Sequence, residues 1–149
     1  MKNIAIGLLF VLLACVFCSC YIPMYMGVLP VGMEEELLEE RAAVVMKQIE
    51  SGEFAPLASD TLSKKDLMEL QEEYREHQKK LGGHRKCNFA ELGQAQGLFA
   101  EGCAYVYVHC NYDYGELDWI LYFDEEYTLL SLEMELDESS LRDPNIQRV

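Results

Sequence analysis

The spacing of apolar residues changes at the Gly82–Gly83 pair, and few folds accommodate that change. Before the pair, apolar side chains recur every three or four places. Leu38, Ala42, Val45, Met46 and Ile49 form one stripe within EEELLEERAAVVMKQIESG, and Leu67, Leu70, Tyr74, His77 and Leu81 form another within LMELQEEYREHQKKL. That is the period of amphipathic helices. Gly52 and the glycine pair supply their stops, Ser63 with Asp66 three places on supplies a start for the second, and Pro56 marks a loop between them that tucks Phe54 and Leu57 against the core.

After the pair the period falls to two. Ala104, Val106, Val108 and Cys110 alternate with Tyr105, Tyr107, His109 and Asn111, and Leu117, Trp119, Leu121 and Phe123 alternate with Asp118, Ile120, Tyr122 and Asp124. Asp113 to Gly115 is a hairpin signal between them. A third run sets Leu130, Leu132, Met134 and Leu136 against Leu129, Ser131, Glu133 and Glu135, and a weaker strand spans roughly Lys86 to Gln96. The expected fold class is α+β, with two N-terminal helices packed on one face of a four-stranded antiparallel sheet.

The first 20 residues, MKNIAIGLLFVLLACVFCSC, carry one lysine, then an apolar run from Ile4 to Phe17, then small residues and cysteines, which is the order of an export signal. The cysteines point to a lipoprotein leader modified at Cys15 or Cys20, whose acyl chains would anchor the chain to a membrane. An uncleaved anchor and free secretion are the other two outcomes; in every case the domain is delivered to the extracytoplasmic side. The expected organisation is a leader at 1–20, a tether at 21–33, one domain at 34–136 and a frayed tail at 137–149.

All 26 acidic residues lie beyond the leader, against 11 of the 12 basic ones, so the remainder carries a formal charge of −15. Nucleic acid is excluded as a partner, because phosphate binding needs clustered cations. The same charge keeps an exported domain soluble and favours a cationic partner.

Three groups of residues are candidates for function. His77 falls on the core-facing stripe of the second helix, where it could act as a general base, and Glu91 is the acid placed nearest its side. A histidine hydrogen-bonded at the helix edge is the structural alternative. Cys87 faces Cys110 in a hairpin centred between residues 98 and 99, so export permits a cross-strand disulfide that leaves Cys103 free; otherwise all three are small buried apolar residues. Tyr105, Tyr107, His109, Ile120, Tyr122 and Leu129 gather on the sheet face turned away from the helices, an aromatic surface suited to a homodimer or another protein. His77, His84 and His109 are scattered over a helix, a loop and the outer face, so neither a metal site nor a cofactor is expected.

The succession of a helix ending in SGEF, a helix ending in KLGG and the hairpin NYDYGELDWILYFDEE resembles small exported Gram-positive domains of the nuclear transport factor 2-like, or cystatin-like, superfamily, over about Glu39 to Glu135. The resemblance implies a curved sheet and helices around a conical cavity, used by some members as an enzyme site, by some as a ligand pocket and by others only as core. It makes two readings available: a membrane-tethered domain that binds a small ligand or a protein, including an acidic inhibitor or immunity-type protein, and a cavity enzyme of isomerase or dehydratase type using His77.

Overall fold

The computed structural model describes residues 27–95 and 102–143. The leader, Cys15, Cys20 and the first part of the tether lie outside them. Helix α1 spans Glu35–Glu50 and helix α2 spans Lys64–Leu81, with a short 3-10 turn at Ala55–Leu57 between them. Strands β1 (His84–Gln94), β2 (Ala104–Tyr112), β3 (Glu116–Phe123) and β4 (Leu129–Asp137) form one antiparallel meander in chain order. The protein is α+β, as the two periods require.

Local chemistry accounts for the helix limits. The Ser63 side chain accepts from the Asp66 backbone N–H at 3.1 Å and donates to its carboxylate at 2.7 Å, which satisfies an orphan amide at the start of α2. Gly82 ends the same helix at a positive φ of 77°, where an added Cβ would lie 2.7 Å from Tyr114 Cδ2. That close approach lets the β2–β3 turn dock on the helix end. Tyr114 N donates to Leu81 O at 2.9 Å, Asp113 N donates to Gly83 O at 3.0 Å, and Asp113 accepts from Gly83 N and from Arg85 Nε.

One core joins both helices to the inner face of the sheet. The α1 stripe, Leu38, Ala42, Val45, Met46 and Ile49, is buried as its spacing predicts. The α2 stripe is rotated from the expected one: Leu67, Gln71, Tyr74 and Leu81 are its buried residues, while Leu70 and His77 are only half-buried. Gln71 takes the inward place because its carbonyl accepts from the Phe54 backbone N–H at 3.0 Å, an amide the loop would otherwise bury unpaired. Trp119 stands at the centre, edge-on to Phe54 and Tyr74 at 6.0 and 5.4 Å.

Strand β4 departs from simple alternation. The register slips between Tyr122, opposite Ser131, and Phe123, opposite Leu129, leaving Leu130 as the extra residue. Leu129 therefore joins the inner core, and Leu130 takes the outer position expected for Leu129.

The described parts of the tether and tail, residues 27–33 and 137–143, are attached to the domain; residues 144–149 of the tail lie outside the described residues. Pro30 and Met33 are buried and Leu29 packs on the core, while Glu34 N donates to the Tyr127 hydroxyl at 2.8 Å. After β4, Glu138–Ser140 form a 3-10 turn, Ser140 Oγ accepts from Glu116 N at 2.8 Å, Arg142 N donates to Tyr114 O at 2.8 Å, and Leu141 packs on the core.

Candidate interaction surface on the outer sheet face

Directly paired residues of an antiparallel sheet share a face, so the registers define what the outer surface presents. Its rows, from β1 to β4, are Lys86, Asn111, Glu116 and Asp137; Asn88, His109, Asp118 and Glu135; Glu91, Tyr107, Ile120 and Glu133; and Gly93, Tyr105, Tyr122 and Ser131. One end is aromatic. The other end is acidic, and the six carboxylates of the grid face two groups that can carry positive charge, Lys86 and His109.

The aromatic end is not the open patch that its composition predicts. Tyr105 and Tyr122 are buried, at 1% and 6% exposure, in a small second cluster with Ala95 and Cys103. Tyr107, Ile120 and Leu130 are half-buried at its margin. None of the described helical residues contributes to this cluster. Of the expected interface residues, Tyr107, His109 and Ile120 are partly accessible, whereas Tyr105 and Tyr122 are committed to packing and Leu129 faces the core.

Polar tips organise the middle of the face. Asp118, with a side chain only 16% exposed, accepts from the Tyr107 hydroxyl at 2.5 Å and pairs with His109 Nδ1 at 2.6 Å. His109 Nε2 lies 3.8 Å from Glu116, and the Tyr105 hydroxyl donates to Glu91 at 2.5 Å. Glu91 thus belongs to the outer face and is engaged there, rather than lying near His77. Glu133 and Glu135 are exposed beside this network. A tyrosine hydroxyl and an imidazole hold the central carboxylate in place, and the flanking carboxylates remain open to a cationic group from outside.

The inner side offers little for the histidine chemistry considered above. His77 sits at the edge of α2 with Nε2 3.7 Å from Glu73 of its own helix, and its buried Nδ1 has no hydrogen-bond partner among the described residues. The space between helices and sheet is occupied by Phe54, Tyr74, Trp119 and Phe123, all fully buried. Tyr74 and Tyr112 share a hydroxyl hydrogen bond of 3.1 Å there. Burial raises the pKa of both phenols above the ordinary 10.0.

Cys87 and Cys110 are opposite one another in β1 and β2 and joined by a disulfide, and Cys103 is a buried free thiol whose pKa is pushed up by burial and then by Asp124 and Glu125. His84 begins β1 rather than lying in a loop, with Nε2 3.2 Å from Cys87 Sγ. Gln71, the Leu130 bulge and the position of His84 went unsingled by sequence reasoning. Only His84 left a signal there, its place three residues before Cys87.

No helix of the described residues is long and apolar enough to cross a membrane. Comparison of the chain with protein families, with curated proteins and with solved structures found no match.

Proposed function

We propose that this chain is an exported, membrane-tethered binding domain whose outer sheet face receives a cationic segment of a partner protein. The observation that carries the reading is the crowding of Glu91, Glu116, Asp118, Glu133, Glu135 and Asp137 on one face, with Lys86 and His109 as the opposing groups. Electrostatic complementarity of this kind speeds encounter and rejects partners of like charge. A homodimer through the same face would set its carboxylates against their copies, so a heterologous basic partner fits better, in the manner of an acidic inhibitor or immunity-type protein. Delivery outside the cell rests on the leader, with Cys15 or Cys20 as the acylated residue. The order of two helices and a four-strand meander supports the nuclear transport factor 2-like reading, with the cone serving as core. Filling of that cone by Trp119 and its neighbours speaks against the isomerase or dehydratase alternative.

A labelled oligolysine peptide provides the test. Replacing Glu116, Glu133 and Glu135 by Gln should weaken its binding about tenfold at low salt, with the effect shrinking as salt is added. The same loss of charge at Glu35, Glu36 and Glu40 of α1 should change binding less than about twofold. Equal losses from the two variants would mean that total charge, and not this face, attracts the peptide. Mass spectrometry of the mature N-terminus, with Cys15→Ser and Cys20→Ser chains alongside, identifies the anchor.

A further inference from the structure

On the opposite side of the sheet, four residues from three elements converge at the mouth of a groove between α1 and β1. The groove, about 400 Å³ in volume, is lined by Met46, Lys47, Glu50, Cys87 and Phe89 among others. Glu50 comes from the end of α1, His84 and Cys87 from the start of β1, and Cys110 from β2. His84 Nε2 lies 3.2 Å from Cys87 Sγ and 3.7 Å from Glu50 Oε1. The nitrogen of His84 and the two sulfurs all lie within 4.8 Å of one another. The edge of the imidazole packs against Tyr112 at 5.3 Å between centroids, which orients the ring.

We infer that reduction of the Cys87–Cys110 disulfide converts this corner into a zinc site with two thiolates, the His84 imidazole and the Glu50 carboxylate as ligands. Zinc bonds of about 2.0–2.3 Å in a tetrahedron put neighbouring ligand atoms roughly 3.3–3.8 Å apart. The His84–Cys87 and His84–Glu50 separations already lie close to that length, so two edges of the tetrahedron are in place before any metal arrives. The remaining edges need the sulfurs to part, which breaking their bond permits, and the Glu50 carboxylate, which lies outside the group of atoms within 4.8 Å of one another, to turn toward them. Two thiolates with an imidazole form a donor set that favours zinc over hard cations such as magnesium and calcium.

A dithiol attacks at Cys87, the half-buried sulfur that lines the groove, since Cys110 beneath it is fully buried. The dithiol ends as a disulfide, and Cys87 and Cys110 each gain one electron and one proton. Zn²⁺ then displaces both thiol protons and binds neutral His84 and ionised Glu50. In the oxidised state Cys87 and Cys110 form a covalent staple between β1 and β2, so the metal site exists only under reducing conditions.

Cobalt(II) added to the full-length chain in detergent tests this, because thiolate ligation gives cobalt a charge-transfer absorption that oxygen and nitrogen ligands do not. After reduction by a phosphine, one equivalent of cobalt should develop that band and zinc should abolish it; the oxidised chain should show none. His84→Ala should weaken cobalt binding at least tenfold, Glu50→Gln severalfold, and Cys110→Ser should remove most of the band. His84 and Glu50 are partly exposed, so their variants remain informative if the cysteine variant does not fold. Absence of the band in the reduced chain, or unchanged affinity in His84→Ala, overturns the inference.

Discussion

The two faces of the sheet share every strand and every register, yet they solve different problems. The inner face buries Val106, Val108, Leu117, Trp119 and Leu121 against two helices, so the apolar residues of alternating period find cover from elements the chain also encodes. The outer face buries two tyrosines at one end and spends the rest on carboxylates, two of them held by tyrosine hydroxyls and a histidine. An apolar pattern with a covering element in the same chain reads directly as core. A mixed aromatic and acidic pattern does not say whether its rings or its charges will meet a partner.

The contrast is broken most severely at its centre. Trp119→Ala should cost about 3–5 kcal/mol, because a fully buried ring that touches Phe54 and Tyr74 leaves a large void the helices cannot close. Ile120→Ala, one residue along and half-exposed on the outer face, should cost less than about 1.5 kcal/mol. Urea melts of both variants check the difference. Equal losses would mean that the outer face is as much a core as the inner one.

Next in size is the staple on the inner face. Cys87 and Cys110 are 23 residues apart, and reopening a loop of that length in the unfolded chain corresponds to about 3 kcal/mol. Unfolding midpoints with and without reductant, in the presence of a chelator so that no metal replaces the bond, should differ accordingly. A difference below about 1 kcal/mol would show that the reduced unfolded chain is already constrained.

The regular parts of this architecture were legible, and the exceptions share a cause. Helix spans, the meander and the facing of Cys87 and Cys110 follow from periods and symmetric hairpin arithmetic, which depend on few residues at a time. Gln71 was not legible, because its inward place answers a backbone amide at Phe54, 17 residues away. The exchange of Leu129 and Leu130 required a bulge that either residue would satisfy equally well by hydropathy. At the outer face, composition named Tyr105 and Tyr122 correctly as neighbours but not as buried ones. Among the histidines His84 has no ligand partner by spacing, whereas its neighbour in space is a sulfur.

A smaller effect tests whether the outer network is built or merely solvated. Asp118→Ala removes the acceptor of the Tyr107 hydroxyl and the partner of His109 Nδ1, both half-buried, so a loss of about 1–2 kcal/mol is expected in the same melts. Oligolysine binding should fall with it. Unchanged stability would mean that water replaces Asp118 without cost and that the face is not preorganised.

The smallest effect sits where the two faces meet, at the β2–β3 turn. A hydrogen bond from Arg85, then one from the Gly83 amide, hold the Asp113 carboxyl below its ordinary value of 3.8. A carboxyl whose pKa is lower in the folded state binds fewer protons there, so its stabilising contribution is complete above the ordinary value and disappears as the pH falls through the folded one. Arg85→Ala should therefore raise the Asp113 pKa toward 3.8 in an NMR titration, leaving the smaller effect of the Gly83 amide in place. Because the pair is exposed, the melt at neutral pH should move little while the acid limb of the stability profile becomes shallower. A titration that does not move would mean that the Gly83 amide alone holds Asp113, and that the turn is locked to α2 by its backbone contacts without help from the arginine.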